Sequence, residues 1–94
     1  MNTVQIKNFL AIAEIGSFTK AEEILNTTKT ALKKQIDTME VELEFPLFVR
    51  SSKGLYLTRP GELFYDRVKG LYQSYQDTVS ECKKYIFPIK EKSG

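Results

Sequence analysis

Apolar positions along this chain recur with helical spacing, broken once by a short stretch of strand character. Ile6, Phe9, Leu10 and Ala13 fall at the i, i+3, i+4, i+7 spacing of one helical face, and Ile12 and Ile15 widen that face. The spacing predicts a first helix over Thr3–Ile15, covered on two sides. Gly16 then stops it, as glycine does just past a helix end. Thr19-Lys20-Ala21-Glu22 has the spacing of a capping box, with Phe18 placed before it as a hydrophobic staple. A short second helix is therefore expected to end near Leu25-Asn26. Thr28 is placed to cap a third helix reaching about Glu44, with Leu32, Ile36, Met39 and Leu43 as its apolar stripe.

Pro46 blocks continuation of that helix. Phe48-Val49-Arg50 and Leu55-Tyr56-Leu57 are strand candidates, separated by Ser51-Ser52-Lys53-Gly54 as a four-residue turn. Such a hairpin is too short to stand alone and must lean on the helices through Phe48, Leu55 and Leu57. Thr58 is placed to cap a last helix, with Pro60 tolerated in its first turn. Phe64, Val68, Leu71, Tyr75, Val79, Cys82 and Ile86 then repeat at near-heptad spacing. Pro88 is expected to end this helix after about 28 residues, or roughly 42 Å. A compact chain of this length has a radius of gyration of about 12 Å. Phe64 and Val68 can reach a core, but the distal seam outruns its own body. A second copy of the same helix is the economical partner for it.

The length of 94 residues makes one domain and excludes a two-domain enzyme. Lys and Arg total 14 against 12 for Asp and Glu, a net charge of +2. That sum is too near zero to point to nucleic acid by itself. The distribution says more. In the third helix Lys29, Lys33 and Lys34 occupy the first half, and Asp37, Glu40, Glu42 and Glu44 the second. Lysines at the positive end of a helix dipole are intrinsically disfavoured, so this end is arranged to meet an anion. The chain has no histidine, which removes the commonest general base and metal ligand. Cys82 alone builds neither a disulfide nor a zinc site, and it is expected to pack as a small hydrophobe in the seam. No catalytic site, metal or cofactor is expected. No uncharged apolar run reaches the ~18 residues of a membrane span, and Met1–Val4 lacks the features of a signal peptide. The composition reads as soluble and cytosolic.

The element order is helix, short helix, helix, hairpin, long helix. A short helix and polar turn leading into a helix with a basic outward half is the layout of a helix-turn-helix followed by a wing. A B-DNA major groove about 12 Å wide admits one such helix. Taken singly, the features have plainer readings. Lys29, Lys33 and Lys34 can be a solvated face, and Lys53 can guard a strand edge. Asp37, also outward, reads more readily as a solvated or lysine-paired carboxylate than as an acceptor for cytosine.

The run Phe9-Leu10-Ala11-Ile12-Ala13-Glu14-Ile15-Gly16-Ser17-Phe18-Thr19-Lys20-Ala21 resembles the opening of LysR-type transcriptional regulators. The likeness continues through Leu25, Thr30-Ala31-Leu32-Lys33-Lys34-Gln35-Ile36, Met39-Glu40, Leu43, Pro46-Leu47-Phe48-Val49-Arg50, Gly54, Leu57-Thr58 and Gly61. It covers about residues 4–65 in one register. The resemblance implies a mainly α fold: a winged helix-turn-helix of three helices and a short hairpin over residues 1–57, a linker helix over 58–87, and a polar tail over 88–94. It implies contacts to double-stranded DNA from Thr28, Lys29, Thr30, Lys33 and Lys34, and from Lys53 and Gly54 at the wing tip. Ser17 and Thr19 are implied as weaker phosphate-contact candidates, and Arg50 as a residue that braces the wing, touches phosphate, or does both. It further implies an antiparallel homodimer, here through Leu71, Tyr72, Tyr75, Val79, Cys82 and Ile86, on a pseudo-palindromic site. The setting would be bacterial cytoplasm, at the nucleoid when bound. Any small-molecule inducer would act through a sensor domain that this chain does not contain.

The sequence departs from the family pattern where bases would be read. Thr28-Lys29-Thr30 stands in place of Ser-Gln-Pro or Ser-Gln-Ser, and Lys33 in place of Ser. Glu22 replaces a second Ala, and Glu44 a Gly. Two alternatives stay open at this level. One is a winged-helix protein-interaction module. The other is a winged-helix regulator with a different sensor, of the molybdate-responsive type.

Overall fold

In the computed structural model, residues 1–93 are described, with side-chain surroundings given for residues 1–86. Helix α1 (Thr3–Ile15) starts at Asn2, whose side chain accepts from the Gln5 amide while the Gln5 side chain accepts from the Asn2 amide. It stops at Gly16, which adopts φ 75° and donates its N–H to the Ile12 carbonyl at 2.8 Å. Helix α2 (Phe18–Leu25) begins two residues earlier than the capping-box reading places it. Ser17, not Thr19, is the cap, accepting from the Lys20 amide at 3.2 Å. The reason is burial: a start at Phe18 turns Phe18 and Ala21 together into the core. Phe18 is thus the first helical residue rather than a staple. Glu22, released from the box, accepts from the Lys29 amide instead.

Helix α3 (Lys29–Leu43) is capped by Thr28, whose hydroxyl accepts from the Ala31 amide at 3.1 Å. Its stripe behaves as the spacing requires, with Leu32, Ile36 and Met39 fully buried and Leu43 partly so. It ends on Glu44 at φ 65°. A side chain in this left-handed region costs roughly 1–2 kcal/mol, and a glycine there would lose part of that gain to the unfolded chain's extra freedom, about 0.4–1 kcal/mol. Glu44→Gly should therefore stabilise the chain by about 0.5–1 kcal/mol in urea unfolding. A loss of stability would show that Glu44 contributes a contact that offsets its strain.

Strands β1 (Phe48–Ser51) and β2 (Gly54–Leu57) pair antiparallel, with Phe48 opposite Leu57 and Ser51 opposite Gly54. The turn is thus two residues, Ser52-Lys53, rather than four, because Ser51 and Gly54 join the ladder. Hydrogen bonds pin the hairpin and its flanks. The Leu55 N–H donates to the Gly16 carbonyl at 3.1 Å. One Glu40 carboxylate oxygen accepts from the Leu47 amide at 2.6 Å and the Phe48 amide at 3.3 Å. The Thr58 hydroxyl donates to the Pro46 carbonyl at 2.6 Å. Gly61 packs so tightly on the Leu47 carbonyl that no side chain fits between them.

The core is Phe9, Leu10, Ile12, Phe18, Ala21, Leu32, Ile36, Met39, Leu47 and Phe48. Phe9 is its hub, with ring centroids of Phe48, Phe64 and Tyr65 at 5.6, 5.5 and 6.3 Å. Leu47, fully buried beside Pro46, and Phe45, edge-on to Phe64, were not expected from the pattern.

Helix α4 (Arg59–Ser93) is longer than the sequence suggests. Its backbone continues through Pro88, because an interior proline forfeits one hydrogen bond and bends a helix without always ending it. The backbone expected as a polar tail is therefore helical to Ser93, and Gly94 lies outside the described residues. Among the residues whose side chains are described, α4 packs on the body through its proximal turns, by Phe64, Tyr65 and Tyr72, with Val68 half-buried. From residue 73 to residue 86 every side chain is exposed. The molecule measures 58 × 26 × 19 Å, with a radius of gyration of 16.7 Å. Among the described residues no helix is long and apolar enough to cross a membrane.

Candidate nucleic-acid interface

The start of α2, the first turns of α3 and the wing converge on one concave surface. A groove of about 260 Å³ is lined there by Ser17, Thr19, Lys29, Lys33, Arg50 and Gly54, together with Phe18, Ser51, Ser52 and Leu55. Six of the ten sequence candidates therefore meet in one place, although they come from three separate segments of chain.

Phe18 forms the floor. The Lys33 ammonium lies 5.8 Å from its ring centroid and the Arg50 guanidinium 5.4 Å. Each cation beside the ring gains modest cation–π attraction, about 0.5–1 kcal/mol at exposed sites. The ring also keeps their stems extended across an apolar surface. The Lys29 ammonium donates to the Thr19 hydroxyl at 3.4 Å, on the same rim. Phe18, Ser51 and Ser52 are lining residues that the spacing argument does not find. Nothing in their local sequence marks them, because it is the Arg50 guanidinium over Phe18 that links the wing to α2.

The other four candidates stand apart from this groove. Thr28 is occupied as the α3 cap. Thr30 and Lys34 are exposed on α3, and Lys53 is exposed at the wing turn. The positive end of α3 is also partly satisfied from within, since Glu22 takes the Lys29 N–H at 3.2 Å. Asp37 is paired, but to Arg50 at 2.7 Å rather than to a lysine.

The candidate dimer seam lies elsewhere, along α4. Leu71, Tyr75, Val79 and Ile86 are exposed, as is Cys82, which in the single chain is not buried. Tyr72 differs from its neighbours. It packs partly on the chain's own core and stacks on Tyr75 at 6.2 Å.

Residues 3–62 match the model of the bacterial regulatory helix-turn-helix protein, lysR family. The chain is 35% identical over 69 residues to the nitrogen assimilation regulatory protein nac of Klebsiella aerogenes, covering 73% of this chain and 23% of that one. It is 40% identical over 87 residues to the HTH-type transcriptional regulator YtlI of Bacillus subtilis, covering 89% and 28%. It thus spans roughly a quarter of the length of these curated relatives. Among solved structures it is similar to the BenM DNA-binding domain in complex with benA site 1 DNA, with a TM-score of 0.85 and 32% identity, covering 90% of this chain and 96% of that one. The CbnR DNA-binding domain in complex with DNA gives the same TM-score at 25% identity, covering 90% and 98%. The three helices, the two-stranded wing, the long following helix and these likenesses lead to one conclusion: the chain belongs to the lysR family of bacterial regulatory helix-turn-helix proteins.

Proposed function

We propose that this chain is the sequence-specific, double-stranded-DNA-binding part of a transcription regulator, without enzymatic activity, acting as a homodimer in the bacterial cytoplasm. The observation that carries this reading is the groove between α2, α3 and the wing, where Lys29, Lys33 and Arg50 share a rim with the Ser17, Thr19, Ser51 and Ser52 hydroxyls. Cations and hydroxyls at that density, beside the first turns of a helix, suit phosphate. Thr30 and Lys34, farther along the exposed face of α3, are then placed to reach base edges or the opposite backbone, and Lys53 the backbone beyond the wing. Thr28 contributes by fixing where α3 starts. The test is binding to duplex DNA across salt concentration. Affinity should fall steeply and linearly on a log–log plot, and a salt-independent or absent interaction would overturn the reading.

The homodimer rests on α4. Its exposed Leu71, Tyr75, Val79 and Ile86 outlast the body they could pack on, and two copies side by side would cover one another. Leu71→Asp should convert the species seen by sedimentation from dimer to monomer and weaken binding to a two-half-site duplex by at least about tenfold, through loss of the linked second site. An unmodified chain that sediments as a monomer would remove the dimer from the proposal. A protein-interaction module is the lesser reading, since no observation favours it over the cationic groove.

A further inference from the structure

The cations of the groove are not equally available. Arg50, on β1, donates from Nη2 to Asp37 Oδ1 at 2.7 Å and lies 3.9 Å from Glu40 Oε1, while its guanidinium covers Phe18. Asp37 and Glu40 are three residues apart and so share one face of α3. Their tasks differ. Glu40 is half-buried, and its other oxygen holds the Leu47 and Phe48 amides at the root of the wing. The Asp37 side chain is 60% exposed and is bound to Arg50. An exposed ion pair of this kind contributes little to stability, so its effect lies in what it withholds.

We propose that Asp37 is a built-in substitute for phosphate, which holds Arg50 back and so lowers the sequence-independent attraction of the groove for DNA. This rests on the DNA-binding reading above. A guanidinium already neutralised by a carboxylate releases no condensed counterion on meeting DNA until that pair is broken. The effect falls on backbone attraction and not on base readout, so Asp37 sets how tightly the groove holds any duplex, whatever its sequence.

The test uses the intact chain and a fluorescent random-sequence duplex, titrated between about 50 and 200 mM salt. Circular dichroism verifies that each variant is folded. Asp37→Asn should raise the magnitude of the log–log salt slope by about 0.9 and the affinity near physiological salt about fivefold, the increment of one added phosphate contact. Arg50→Ala should abolish this gain, so that the double variant matches Arg50→Ala alone. Glu81→Gln, on exposed α4, removes the same charge away from the groove and should leave the slope unchanged. An equal gain in the Arg50→Ala background would mean that bulk charge acts and not the pair, and would overturn the proposal. So would unchanged or weakened binding by Asp37→Asn. If the unmodified chain shows no salt-dependent binding, the functional reading itself fails and takes this one with it.

Discussion

Phe9→Ala should destabilise the chain by about 3–5 kcal/mol, the range for removing a fully buried aromatic side chain. Phe9 is 0% exposed, and its ring touches three others from β1 and α4. It is therefore where the three-helix body, the wing and the long helix meet. A domain of this size holds about 5–15 kcal/mol in total, so the variant loses a large share of it. At about 4–8 °C per kcal/mol for a chain this short, the Tm should drop by roughly 15 °C or more. Because α4 and the wing both lean on Phe9, they should melt together with α1 in one transition. A shift of only a few degrees would show that the surrounding rings collapse into the space and that the hub is dispensable.

The second large effect is on binding. Lys29→Ala combined with Lys33→Ala should weaken the association with duplex DNA about 30-fold near physiological salt and reduce the salt slope by about 1.8, the increment of two phosphate contacts. Neither lysine is buried in the core, so the fold should survive, as far-UV dichroism and the Tm will show. The decisive readout is the slope. A loss of affinity at constant slope would mean that the lysines act through base edges. No loss at all would place DNA on another surface.

Much of this architecture is legible in the pattern of apolar positions. The α1 face, the Gly16 stop, the Thr28 cap and the Leu32–Ile36–Met39 stripe follow from local rules that the packed structure obeys. What local rules miss is settled by packing. Ser17 and Thr19 are both good caps, and the choice between them is made by the burial of Phe18, which only the tertiary fold can express. Leu47 reads as a loop residue beside a proline, yet it is held inward by the Glu40 carboxylate from seven residues away. The same limit applies to the site. The basic half of α3 is visible as a run of lysines, whereas the partnership of Arg50 with Asp37 spans thirteen residues and two elements. The Phe18 floor is likewise completed by Arg50, which reaches it from the wing. Residues that act through a neighbour distant in sequence carry no periodic signal.

The hydrogen bond from Leu55 to Gly16 has a consequence for how a duplex would be gripped. It joins the wing to the turn that launches α2, while the Glu40 carboxylate joins the root of the wing to α3. On the DNA-binding reading proposed above, wing and α3 are thereby tied to one another, and a duplex that meets both would bring its phosphates to them at the spacing they set. Sequences that bend or narrow easily will do so at lower cost, and part of the preference for an operator would then reside in base pairs that no side chain touches.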